Sequence, residues 1–157
     1  MFRSLQSSPA TITIFHNPKL AVSTSLYHLL QNKMNKINSS KKSDQFIIDL
    51  MENQMPTFDQ YKLLIGMNST KVKSCFPLLS DRVDLSEKTI IKGTPNLFNQ
   101  GEYNLIYETF NELIGHPDKS INPVDIFKSP LIVDWDQSKV AIDETDLNEL
   151  LSVYKVD

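Results

Sequence analysis

The chain has 157 residues, 40% of them hydrophobic, which suits one domain with one substantial core. A net charge of -3 without an arginine-rich stripe argues against nucleic-acid binding, and no apolar run approaches the ~20 residues of a membrane span. The single cysteine, Cys75, excludes an internal disulfide, a CxxC pair and a Cys-rich zinc site.

"TITIF" alternates as a short strand, with Ile12 and Ile14 on one face and Thr11, Thr13 and Phe15 on the other. Asn17-Pro18 turns the chain. A helix is expected from about Ser23 to Met34, capped by Ser23 or Thr24, with Leu26, Leu29, Leu30 and Met34 at helical spacing. "NKINSSKKSDQ" reads as a polar connection. "FIIDL", Phe46 to Leu50, opens with a continuous apolar run and reads as a buried strand.

Pro56 marks the next turn, and Thr57 is a suitable cap for a helix whose apolar face holds Phe58, Tyr61, Leu64 and Ile65. The middle of the chain is less regular; "TIIKG" fits a short extended piece. "EYNLIYETFNELIG" is a helix with a broad face of Tyr103, Ile106, Tyr107, Phe110, Leu113 and Ile114, ended by Gly115. The last unit is the clearest. It has a strand at Leu131 to Trp135, a turn around Asp136 to Ser138 and a strand at Lys139 to Ile142. Asp143 then caps a helix carrying Leu147, Leu150, Leu151 and Tyr154. Residues 1–10 form an N-terminal segment. Residues 11–157 form one α/β domain in the order β-α-β-α, a helical and irregular insertion at about 68–128, then β-β-α.

This order resembles the thioredoxin fold, and within it the arsenate-reductase-like branch. Members of that branch open with a strand, His-Asn-Pro-x-Cys and a helix; here His16, Asn17, Pro18, Lys19 and Leu20 precede the helix. They also place a proline before the third strand, as Pro130 stands before Leu131-Ile132-Val133-Asp134. The chain is more closely similar to a family of fungal mitochondrial redox proteins with a thioredoxin-like fold. That likeness runs across "MPTFDQY" and "INP...PLIVDWDQSKVAIDETDLNELL", about 90 residues in blocks. The resemblance implies an oxidoreductase, a cis bond at Ser129-Pro130, and a substrate groove beside it. Two departures matter. Leu20 stands at the cysteine position of the arsenate-reductase-like opening. No cysteine lies near Gly115 and His116, where the fungal family's reactive cysteine would fall before Asn122-Pro123.

Cys75 is therefore the one candidate catalytic thiol. Lys71 or Lys73 close to the sulfur would favour the thiolate; a helix beginning at "STKVKS" would add its dipole, although Cys75 would then lie beyond its first turn. The alternative is a small, half-buried hydrophobe beside Phe76 and Leu78. With one thiol, the feasible cycle is attack on an oxidised or electrophilic substrate, a small molecule or an oxidised protein thiol, resolved by glutathione as cosubstrate or by a partner thiol. His16, Asn17 and Lys19, at the end of the first strand and the start of a helix, and Pro130, before the third strand, are the candidate binding residues. With Arg3 and Arg82 the only arginines, an oxyanion pocket of the arsenate type is not expected. His28 and His116 have no metal-ligand spacing. Trp135 reads as a packing anchor and Asp134 as the organiser of the hairpin turn.

From Met1 to Ser43 there are six basic residues and no acidic one. An acid-free, Ser-rich start containing Arg3 fits a transit peptide, and so import to the mitochondrial matrix; the alternative is chance plus an exposed Lys41-Lys42 loop. Two readings follow. One is a glutathione-dependent, single-thiol thioredoxin-like redox protein working as a monomer. The other is a non-catalytic thioredoxin-fold binding or assembly protein.

Overall fold

In the computed structural model, residues 9–39, 45–79, 97–118 and 120–154 are described. In chain order these form β1 (Ala10–His16), α1 (Ala21–Ser39), β2 (Phe46–Glu52), α2 (Phe58–Met67), α3 (Ser69–Ser74) and α4 (Gln100–Gly115). A 3-10 turn (Pro123–Asp125), β3 (Leu131–Asp134), β4 (Lys139–Ala141) and α5 (Glu144–Leu151) follow. The sheet order is β2-β1-β3-β4, with β1 parallel to β2 and antiparallel to β3, and β3 antiparallel to β4. This is the mixed thioredoxin-like sheet that the order of elements implies. "TIIKG", the first eight residues, Lys41-Lys42 and Arg82 lie outside the described residues.

Alternation along β1 divides the interior into two cores. Ile12 and Ile14 face α1 and α5, joined by Ile132, Leu26, Leu30, Leu147 and Leu150. Phe15 faces the other way, into an aromatic cluster with Tyr61, Phe76, Phe98, Tyr103 and Phe127. Each such side chain taken fully from water contributes about 1.5–3 kcal/mol. Tyr61 and Tyr103 stack at 4.6 Å, and the Tyr103 hydroxyl donates to the Pro56 carbonyl at 2.6 Å, so this core keeps a satisfied polar edge.

The caps are local chemistry. Thr57 with Gln60 and Asn99 with Glu102 form reciprocal capping boxes, and Asp143 accepts the Asp146 N–H. The hairpin between β3 and β4 turns on Asp134, which is fully buried and accepts the N–H groups of Asp136 and Gln137. The Tyr154 hydroxyl and the Gln137 amide donate to its other oxygen. Trp135 is a half-buried anchor whose Nε1 donates to Thr13 Oγ1 at 2.8 Å.

Three expectations need correction. The first helix begins at Ala21 and runs on to Ser39, through half of the supposed connection. Asn38 holds it there, donating to the Phe46 carbonyl and accepting the Gln45 N–H. Neither Ser23 nor Thr24 is its cap, because both lie inside the first turn. Finally, "FIIDL" is not a buried central strand. It extends to Glu52 as the edge strand β2, where Phe46 is buried but Ile47, Asp49 and Leu50 are exposed. A strand with a neighbour on only one side keeps half of its surface in water.

Candidate functional site

β1 ends at His16, and the backbone there must reverse into α1. Asn17 makes the turn: its Oδ1 accepts the Lys19 N–H at 2.9 Å and its carbonyl accepts the Leu20 N–H at 3.0 Å. Pro18 and Lys19 are left in solvent, and Leu20 is half-buried. Beneath the turn, His16 is only 4% exposed and its Nδ1 lies 2.7 Å from Ser23 Oγ. Ser23 Oγ also accepts the Asn17 N–H at 3.0 Å. The serine proton is then available to Nδ1, which suits a neutral imidazole carrying its own proton on Nε2. Burial lowers the His16 pKa, with Glu52 opposing and His28 adding to the shift. The Asn53 N–H donates to the His16 carbonyl at 2.8 Å, and Asn53 takes a left-handed φ of 57°, which asparagine tolerates.

Above this floor is an open cleft of about 500 Å³ between the β1–α1 turn and the end of α4. Asn17, Lys19, Leu20 and Asn53 line one side; Leu113, Ile114 and the loop through Asp118, Ile121 and Asn122 line the other. The loop is self-braced. Asp118 Oδ1 accepts from the Ser120 N–H and hydroxyl, which hold its carboxyl below the usual range. Asn122 accepts the Val124 N–H at 3.0 Å. Among the described residues, the lining offers one ammonium, one carboxylate, three side-chain amides and an apolar wall, with no thiol, hydroxyl or imidazole.

Cys75 lines a different recess, of about 270 Å³, with Val22, Lys128, Ser129 and Pro130. The Ser129-Pro130 bond is cis. The Cys75 carbonyl accepts the Lys128 N–H at 2.8 Å, which ties the cysteine to the segment leading into β3. Cys75 is 4% exposed, and burial pushes its thiol up to about 12, against a hydrogen bond from Ser74 and the charge of Lys128. "STKVKS" is the whole of α3, so Cys75 caps the C-terminal end, where the helix dipole disfavours a thiolate. Lys71 is held by Asp146 at 2.7 Å, and the thiol points to the Lys71 carbonyl at 3.8 Å.

The structure thus groups Asn17 with Lys19, and Cys75 with Pro130, in two recesses, and buries His16 below the first. His28 and His116 are exposed. Ser23 and Asn53 were not anticipated as parts of the site. Ser23 had a signal in the sequence: it lies in phase with the buried Leu26, Leu30 and Ile37, and a hydroxyl on an apolar stripe needs a partner. Among the described residues, no group of three or more His, Cys, Asp or Glu is placed to hold a metal, and no helix is long and apolar enough to cross a membrane.

The model of the family described as "Protein of unknown function (DUF1687)" matches residues 2–143. No curated protein matches the chain. Among solved structures, an arsenate reductase from Vibrio cholerae is similar at a TM-score of 0.46 and 14% identity, covering 93% of this chain and 99% of that one.

Proposed function

This chain belongs to the DUF1687 family, and we propose that it is a thioredoxin-fold binding protein whose open cleft takes a small peptide-like ligand of the glutathione class without covalent chemistry. One contrast carries this reading. The cleft at the end of β1 holds Leu20 where a thiol enzyme would need its cysteine, while the sulfur of Cys75 is shut into another recess and held neutral. A zwitterionic, amide-rich ligand matches the Lys19 ammonium, the Asp118 carboxylate and the three asparagines. The test is titration of the full chain with reduced and oxidised glutathione, followed by NMR. Saturable shifts at Asn17, Lys19 and Asp118, weakened in Lys19→Met and retained in Cys75→Ser, are expected. Absence of saturation with either form would sink the reading.

A second reading has its own observation: Cys75, cis Pro130 and Val22 from the first turn of α1 share one recess. In this reading the Cys75 thiolate attacks a disulfide substrate and forms a mixed disulfide as the leaving thiolate takes a proton. Glutathione then attacks the mixed disulfide, releasing Cys75 as the thiol. Iodoacetamide rates against pH separate the two. A midpoint below the free-cysteine ~8.5 favours the redox reading, and a slow reaction recovered on unfolding removes it. Mitochondrial import belongs to the same proposal, supported by the six basic and no acidic residues between Met1 and Ser43. It is tested by the location of a fluorescent fusion.

A further inference from the structure

We infer that the outer edge of β2 docks a second copy of this chain, antiparallel and centred on Leu50. The argument begins with which backbone groups β1 leaves unused. The Gln45 carbonyl accepts the Ala10 N–H at 3.0 Å, and the Asn53 N–H donates to the His16 carbonyl at 2.8 Å. Strand residues alternate in direction, so Ile47, Asp49 and Met51 also turn their peptide groups to β1. Phe46, Ile48, Leu50 and Glu52 turn theirs outward. The Phe46 carbonyl is already taken by the Asn38 amide at 3.0 Å. Among the described residues, nothing bonds the outward groups of Ile48, Leu50 and Glu52. Leu50 is 37% exposed and Ile47 41%. An edge that the described residues leave open, with apolar side chains, invites another strand.

Hydrogen bonding and charge together favour one self-pairing; a centre on Met51 would pair Leu50 with Glu52 but set Ile48 against Gln54, beyond the end of β2, and leave its bonds unmade. Outward residues must face outward residues for the N–H and C=O groups to meet. A two-fold centred on Leu50 sets Leu50 against Leu50 and Ile48 against Glu52, so every open residue exchanges both bonds. Asp49 then faces Met51, and no two carboxylates are opposed. A centre on Asp49 sets Asp49 against itself, and a centre on Glu52 sets Glu52 against itself; both oppose like charges. A centre on Ile48 needs the Phe46 carbonyl, which Asn38 occupies. The ends are complementary too. The antiparallel arrangement brings the Glu52 end of one copy to the Phe46 end of the other, where Asn38 anchors the last turns of α1 with Lys36.

Sedimentation of the full chain over roughly 1–100 µM tests this, a range that brackets a modest specific interface. A concentration-dependent dimer is expected, in place of the monomer that the sequence suggested. Leu50→Pro removes an outward N–H that β1 does not use, so the variant should keep its circular dichroism and lose the dimer. If that variant misfolds, Leu50→Lys, which sets lysine against lysine, serves instead. Leu50→Cys should oxidise to a covalent dimer, because a hydrogen-bonded antiparallel pair sits about 5.5 Å apart at Cα, within disulfide range. Glu52→Cys, which does not face itself, should cross-link at least tenfold less. A parent that stays monomeric throughout overturns the proposal, as it would if another protein's strand were the true occupant. So does a dimer that persists in folded Leu50→Pro or Leu50→Lys.

Discussion

The cleft beside Asn17 and Lys19 and the recess around Cys75 differ in the property thiol chemistry needs, an exposed and ionisable sulfur. The cleft is open, polar and at the end of a central strand, and its described lining has no nucleophile of the thiol, hydroxyl or imidazole kind. The recess has the sulfur and cis Pro130, but burial raises the thiol's pKa and the sulfur sits at the wrong end of a short helix. The lesson is that a cleft, a cis-proline and a cysteine can share one fold without meeting at one site. Reactivity belongs to the microenvironment of the sulfur, not to its presence in the chain.

The sharpest way to break this comparison is to put a thiol into the cleft. In Leu20→Cys, the introduced thiol should alkylate at pH 7 roughly a thousandfold faster than Cys75, since a thiol near 8.5 is a few per cent ionised and one near 12 is almost wholly neutral. Mass spectrometry of iodoacetamide-labelled peptides reads both rates in one sample, and equal rates would refute the distinction. The next effect tests the floor of the cleft. Ser23→Ala strands the His16 Nδ1 and the Asn17 N–H, and should cost about 1–3 kcal/mol in denaturant unfolding while weakening any cleft ligand. His16 itself titrates below its ordinary 6.5, so the unfolded chain takes up the proton first. Stability should therefore fall as pH drops below 6.5, and His16→Asn should flatten that fall.

Cys75 works in the opposite direction. Its folded pKa lies above its ordinary 9.0, so its contribution is complete below pH 9 and is lost as pH rises toward about 12. Comparing the alkaline unfolding of the parent with Cys75→Ala isolates that slope, at most ~1.4 kcal/mol per pH unit for one group. A parallel pair of curves would mean the thiol is not buried in solution. The smallest effect is expected at Lys71→Met. Its half-buried ion pair with Asp146 is worth about 1 kcal/mol or less, and its loss should leave the Cys75 alkylation rate unchanged, because Cys75 leans on the Lys71 carbonyl and not on its ammonium.

Much of the fold was legible because its signals are local. Thr57 and Asp143 cap helices through their own side chains three residues ahead, and Ile12 and Ile14 share a face by strand geometry alone. Asp134 as the hairpin organiser also needed only its next three residues. The Ser129-Pro130 bond was left open by the residues themselves; a cis form was suggested only by resemblance, from a proline before the third strand, and the structure has it cis. The errors share a cause as well. The apolar start of β2 looked like a buried strand because sequence reports hydrophobicity and not position in a sheet. Ser23 looked like a cap because its true partner, His16, belongs to another element.

By itself, then, the sequence determined the kinds of elements, their order and the limit of one thiol per chain, since these follow from side-chain period, capping chemistry and a count of cysteines. Only the tertiary structure decided that the helix before Cys75 stops there, that the neighbour of Cys75 is Pro130 and not Asn17, and that β2 is an edge of the described sheet. The physical reason is that burial, pKa and free backbone edges depend on contacts between segments far apart in the chain, and those are set by packing.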